Sequence, residues 1–114
     1  MSECPFCRIA RGEARADVVH EDDDVIAFRD IRPQAPVHVL IVPRRHVESL
    51  ADAAEGDGPL LGKILLAASE IARREGIDAR GYRIVTNRGR EAGQTVLHLH
   101  FHLLGGRAMG WPPG

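Results

Sequence analysis

At 114 residues the chain suits one domain built around one core. Its 15 basic and 16 acidic residues leave a formal net charge of −1, and the only adjacent basic pairs are Arg44-Arg45 and Arg73-Arg74, so no basic stripe is available for a nucleic-acid backbone. The opening Met1-Ser2-Glu3-Cys4-Pro5 carries no charged leader, and no stretch approaches the ~20 apolar residues of a bilayer-crossing helix. A soluble, cytoplasmic protein with no nucleic-acid or membrane partner is expected.

The only cysteines form the pair Cys4-Pro5-Phe6-Cys7, too close together to staple a fold. Read alone, the pair fits a thioredoxin-like motif, half of a zinc site, or an idle pair; no βαβ context surrounds it to favour the first. Val18-Val19-His20 and Val25 to Arg29 read as two strands around a solvated acidic turn, Glu21 to Asp24. Pro33 and Pro36 keep the next approach extended. Val37 to Val42 is a nearly continuous apolar run closed by Pro43, which predicts a strand buried on both faces with His38 as its polar exception.

A long helix follows. Pro59 suits its first turn, Leu61, Ile64, Leu65, Ala68, Ile71 and Ala72 recur at helical spacing, and Gly76 terminates it. Tyr82 to Thr86 predicts a fourth strand, Asn87 to Gly93 a loop, and Leu97 to Leu104 a fifth strand. Hairpins, a helix and two further strands predict an α+β fold, an antiparallel sheet with helices packed on one face.

The fifth strand holds half of the six histidines. In an extended segment, His98, His100 and His102 share one face, while Leu97, Leu99, Phe101 and Leu103 share the other. One metal held by all three would demand a strongly bent strand, because His98 and His102 would stand ~13 Å apart at Cα for a rise of ~3.3 Å per residue. Divided roles are expected instead. A neutral imidazole dominates at pH 7 and can attack phosphorus, and the central His100 has an imidazole neighbour on each side.

His98-Leu99-His100-Phe101-His102-Leu103-Leu104 resembles the signature of the histidine triad (HIT) family, His-x-His-x-His followed by two apolar positions. Phe28-Arg29-Asp30-Ile31-Arg32-Pro33-Gln34-Ala35-Pro36-Val37-His38 resembles the nucleoside-binding segment of its Hint-like branch, and Gly105 to Gly114 resembles that branch's C-terminal tail. The likeness runs from about Cys4 to the last residue. It implies a single HIT domain over 1–114, with about five antiparallel strands, one long and one or two short helices, and a homodimer whose sheets join across a twofold axis.

The resemblance also implies a purine nucleoside phosphoramidase acting on adenosine 5′-monophosphoramidate and its relatives. In that reading His100 attacks the α-phosphorus to form a nucleotidyl-histidine, which water hydrolyses. His102 donates hydrogen bonds to the phosphoryl or bridging atoms and helps protonate the leaving group, and His38 joins the network. Gln94 and Thr95, following a permissive Gly93, donate to phosphate or leaving group. Asp30 accepts from the ribose hydroxyls, Phe28, Ile31, Phe6 and Ile9 sandwich the base, and Asn87 binds near the phosphate. Trp111 reaches the partner subunit's site.

Relatives with the cysteine pair complete a structural zinc site with the histidine of Pro-x-x-His and the first triad histidine, here His46 and His98; catalysis needs no cofactor. Ala14-Arg15 replaces the Ile-Pro pair often found there, which implies a shallower wall and looser base preference. Rival readings are a diadenosine polyphosphate hydrolase and a nucleotide-binding regulator with vestigial catalysis. A metal-dependent oxygenase is disfavoured because no nearby carboxylate completes a facial triad in the triad strand.

Overall fold

A computed structural model describes residues 4–114. Helix α1 (Pro5–Ala10) is followed by strands β1 (Val18–Glu21), β2 (Val25–Arg29) and β3 (Val37–Pro43), two single 3₁₀ turns, helix α2 (Gly58–Arg74), and strands β4 (Tyr82–Val85) and β5 (Phe101–Gly105). The strands form one antiparallel sheet in the order β1-β2-β3-β5-β4. The expected α+β architecture is therefore present. Among the described residues no helix is long and apolar enough to cross a membrane.

Side-chain parity divides the sheet into two faces. Val25 and Ala27 of β2, Val39 and Ile41 of β3, and Phe101 and Leu103 of β5 point to one face and pack against α2. Ile26, Phe28, Leu40 and Val42 point to the other and pack against Phe6 of α1. Because β2 and β3 are covered on both sides, they read as continuous apolar runs. His38 shares the α1-facing parity of Leu40, and His102 pairs with Leu40 across β3 and β5. Two histidines from different strands thus meet on the less heavily covered face.

Helix α2 buries Ile64, Ala67, Ala68, Ile71 and Ala72, one stripe at spacings of three and four. Leu65, expected on that stripe, is instead 45% exposed, and Ala67 takes the place beside Ala68. Arg73 and Arg74 lie in the last turn, and Gly76 follows at φ +75° in the left-handed region.

The triad strand is shorter than expected. Pairing begins only at Phe101; His98, Leu99 and His100 precede it in irregular backbone. Leu97 is 58% exposed, so the apolar face starts at Leu99. The cause is competition for the backbone: the Leu99 N–H donates to Val47 O at 2.6 Å, and the His98 ring is drawn to Pro43 O at 2.8 Å. Both partners lie at or beyond the end of β3, so they hold the segment outside the ladder. Alternation still directs His98, His100 and His102 away from Leu99, Phe101 and Leu103.

Candidate active site and metal centre

His100 and His102 lie at one end of a cleft of about 450 Å³. Phe6, Ile9, Phe28, Ile31 and Leu40 supply its apolar walls, Asp30 and Thr95 polar groups, and Arg15 a cation where the resemblance places proline. Phe6 and Phe28 meet edge to face at 5.4 Å, and the Phe6 ring also stands against His100 at 5.1 Å. Ile31 is 92% exposed and forms a rim, not a buried wall. Such a cleft, mostly apolar with a few converging polar groups, suits a small planar ligand.

Backbone groups assign the protons on the histidines. The buried His100 donates Nδ1–H to the carbonyl of His98, two residues before it, at 2.7 Å. Its Nε2 therefore carries the lone pair, the form a nucleophile requires. Thr86 Oγ1 donates to His100 O at 2.8 Å, fixing the same residue through its backbone.

A second chain of contacts orients His102. The backbone N–H of Gln34 donates to His38 Nδ1 at 3.0 Å, so the His38 proton is on Nε2. That Nε2–H donates to His102 Nδ1 at 2.9 Å, which places the His102 proton on Nε2. Burial lowers the His102 pKa to about 4, helped by His100 and His38 and opposed by Asp30. Burial likewise lowers that of His38, against the pull of Asp30. His102 is thus neutral near pH 7, and while His38 donates to its Nδ1 it offers Nε2–H as a hydrogen-bond donor.

Asp30 Oδ2 lies 3.3 Å from His38 Nε2, so a carboxylate from outside the triad strand joins the histidines. It arrives from the end of β2. Asp30, His38 and His102 converge closely enough to suggest a metal site, yet the proton that Gln34 forces onto His38 Nε2 occupies the position a cation would need. This cluster is built for hydrogen bonding.

The donor set at the other end of the triad has the opposite character. Cys4, Cys7, His46 and His98 bring four ligand atoms within 4.8 Å of one another. Cys4 Sγ is 3.3 Å from His98 Nδ1, Cys7 Sγ is 3.3 Å from His46 Nδ1 and 3.5 Å from His98 Nδ1, and the two Nδ1 atoms are 3.2 Å apart. Tetrahedral zinc with bonds of ~2.3 Å to sulfur and ~2.0–2.1 Å to nitrogen has edges of about 3.6 Å (N···S) and about 3.3 Å (N···N). The fit is close. His98 Nε2–H donates to Pro43 O, leaving Nδ1 a bare lone pair, and a carbonyl behind a ligating imidazole is the usual outer support of a metal site. The Cys7 N–H donates to Cys4 Sγ at 3.3 Å, the N-cap contact of α1.

Other expected residues take different positions. Gln94 does not face the cleft: its Nε2 donates to Glu48 O (2.7 Å) and Val96 O (3.2 Å), and its Oε1 accepts from Gly89 N–H (3.0 Å). Both amide hydrogens thereby brace the loop. Gly93, at φ +85°, makes the turn that precedes it. Asn87 is half-buried and follows Thr86, outside the cleft lining. Trp111 is 81% exposed, beneath the Arg83 guanidinium at 5.9 Å, and does not line its own chain's cleft. The roles of Gln34 N–H, Pro43 O and Thr86 were not foreseen; the first two are backbone groups and leave no trace in residue type.

His100, with Nδ1–H held by a carbonyl and its ring against an apolar cleft, and His102 beside it, linked to His38, define a histidine-triad type of site. Residues 11–109 match the HIT domain family, and the chain belongs to it. It is 51% identical over 109 residues to an uncharacterized HIT-like protein of Synechococcus elongatus, covering 96% of this chain and 95% of that one. It superposes on the crystal structure of a HIT family hydrolase from Legionella pneumophila with TM-score 0.97 and 52% identity, covering 98% of this chain and 100% of that one. A histidine triad nucleotide-binding protein from Candida albicans gives TM-score 0.83 at 33% identity, covering 96% and 83%.

Proposed function

We propose that this HIT protein hydrolyses the phosphorus–nitrogen bond of purine nucleoside phosphoramidates through a nucleotidyl-histidine on His100. The observation that carries the reading is the His100 tautomer: with Nδ1–H held by His98 O, its Nε2 lone pair faces a cleft large enough for a nucleoside. The hydrolase and nucleotide-binding descriptions of its structural relatives support it.

In this mechanism Phe6 and Phe28 hold the base, Asp30 accepts from the ribose diol, and Thr95 and His102 Nε2–H donate to the phosphoryl oxygens. His100 Nε2 forms the bond to phosphorus as the P–N bond breaks, and the nitrogen, having taken up a proton from solvent, departs as the neutral amine. Water then attacks phosphorus, breaks the bond to His100 and restores the lone pair. The arriving phosphoryl charge favours the His102 hydrogen bond most in the transition state, where oxygen charge peaks.

Zinc, held by Cys4, Cys7, His46 and His98, is proposed to be structural. It would supply a rigid cross-link between the N-terminal segment and the triad, with no coordination position open to water. A homodimer is also proposed: β4 is an open sheet edge, and Leu66 (72% exposed), Leu65 and Trp111 leave apolar surface that a second copy would cover, with Trp111 completing the partner's cleft.

A panel of AMP-linked amides, anhydrides and esters tests the reaction class. Amides should turn over fastest, and His100→Ala should abolish turnover while AMP still binds. Activity of that variant within tenfold of the unsubstituted protein would sink the nucleophile assignment.

A further inference from the structure

The Nε2–H of His38 faces two acceptors, His102 Nδ1 at 2.9 Å and Asp30 Oδ2 at 3.3 Å. One hydrogen cannot serve both fully. The Asp30 side chain is 19% exposed and lines the cleft. Its Oδ1 is braced by the Arg32 N–H at 2.8 Å, and its own N–H donates to His38 O at 3.0 Å, so the carboxylate is held in register with the histidine.

We propose that Asp30 is a positioning residue through which the sugar diol of the bound nucleoside sets the hydrogen-bond direction of His102. The inference rests on the nucleotide-hydrolase reading and deepens it. Two hydroxyls donating to the carboxylate satisfy its lone pairs and disperse its charge, which weakens its claim on His38 Nε2–H. That hydrogen then goes wholly to His102 Nδ1. With Nδ1 committed as an acceptor, the His102 proton must sit on Nε2, toward the phosphoryl group.

A nucleotide without the diol leaves Asp30 in competition. His102 Nδ1 then loses its donor for part of the time, and the ring is free to adopt the other tautomer, which turns a lone pair toward the phosphoryl oxygens. The sugar contact therefore acts on turnover as well as on affinity. Binding energy from a part of the substrate remote from the reacting bond is realised at the phosphoryl group.

Two measurements on the full chain test this. Ring ¹⁵N spectra of the histidines, recorded at saturation with AMP and with 2′,3′-dideoxy-AMP, should show His102 locked as the Nε2–H tautomer only with AMP. Kinetics with matched ribo and dideoxy phosphoramidates should show kcat lowered roughly tenfold without the diol, the scale of one hydrogen bond. Asp30→Asn should erase that difference in kcat, which a purely structural role for Asp30 would leave intact. Identical ring spectra at saturation with both nucleotides, or a penalty confined to KM, would overturn the coupling. No spectral response to either nucleotide would instead overturn the nucleotide reading itself, and the coupling with it.

Discussion

Removing the proposed zinc should weaken the fold by an amount that follows from mass action. With free zinc a hundredfold above its Kd, binding stabilises the native state by about 2.7 kcal/mol. At roughly 2.1 cal/mol/K of unfolding entropy per residue, 114 residues give about 0.24 kcal/mol/K, so chelation should lower Tm by roughly 11 °C. Cys4→Ala should reproduce the drop, and chelator added to that variant should lower Tm no further. Activity should fall with the metal as well, indirectly: His98 is the shared element, its ring at the cluster and its carbonyl on His100 Nδ1. His98→Ala should therefore cost more turnover than Cys4→Ala at equal loss of stability. Differential scanning fluorimetry with and without chelator, alongside elemental analysis of protein purified without chelator, reads all of this. Less than a tenth of an equivalent of zinc per chain, with both thiols free to react, would refute the reasoning.

Three further outcomes are expected. The depressed pKa of His102, about 4 against an ordinary value near 6.5, means that the unfolded chain binds more protons between those pH values; Tm should fall as pH drops from 6.5 to 4, and His102→Gln should flatten that slope in a thermal scan series. Gln94→Ala should cost on the order of 1–3 kcal/mol in denaturant unfolding, because it strands the Gly89 N–H, Glu48 O and Val96 O, while KM stays within a few fold; a kinetic defect at unchanged stability would restore Gln94 to the phosphate. Deleting residues 109–114 should change leaving-group preference more than AMP affinity, and a monodisperse monomer in light scattering at micromolar concentration would contradict the dimer on which that expectation depends.

Much of this protein is written in residue order. The stripe Ile64, Ala68, Ile71 and Ala72 specifies a helix with one buried face, the run Val37 to Val42 specifies a strand covered on both sides, and the alternation of His98, His100 and His102 with Leu99, Phe101 and Leu103 separates chemistry from core. These features are legible because periodicity is a local property of the chain. The four donor atoms at Cys4, Cys7, His46 and His98 are likewise legible as residue types, and folding brings them within 4.8 Å of one another.

What the tertiary structure alone decided is where the protons sit and which side chains are already engaged. His98 turns its lone pair to the cysteines because Pro43 O takes its other nitrogen; His38 directs its proton to His102 because a backbone N–H from Gln34 takes Nδ1; Gln94 braces its loop through three backbone groups. Every non-proline residue offers the same N–H and C=O, so no pattern of side chains announces which of them will meet an imidazole. That choice is made by the path of the backbone in space, and with it the different surroundings of the three alternating histidines: His98 beside the cysteines, His100 at the cleft and His102 against His38.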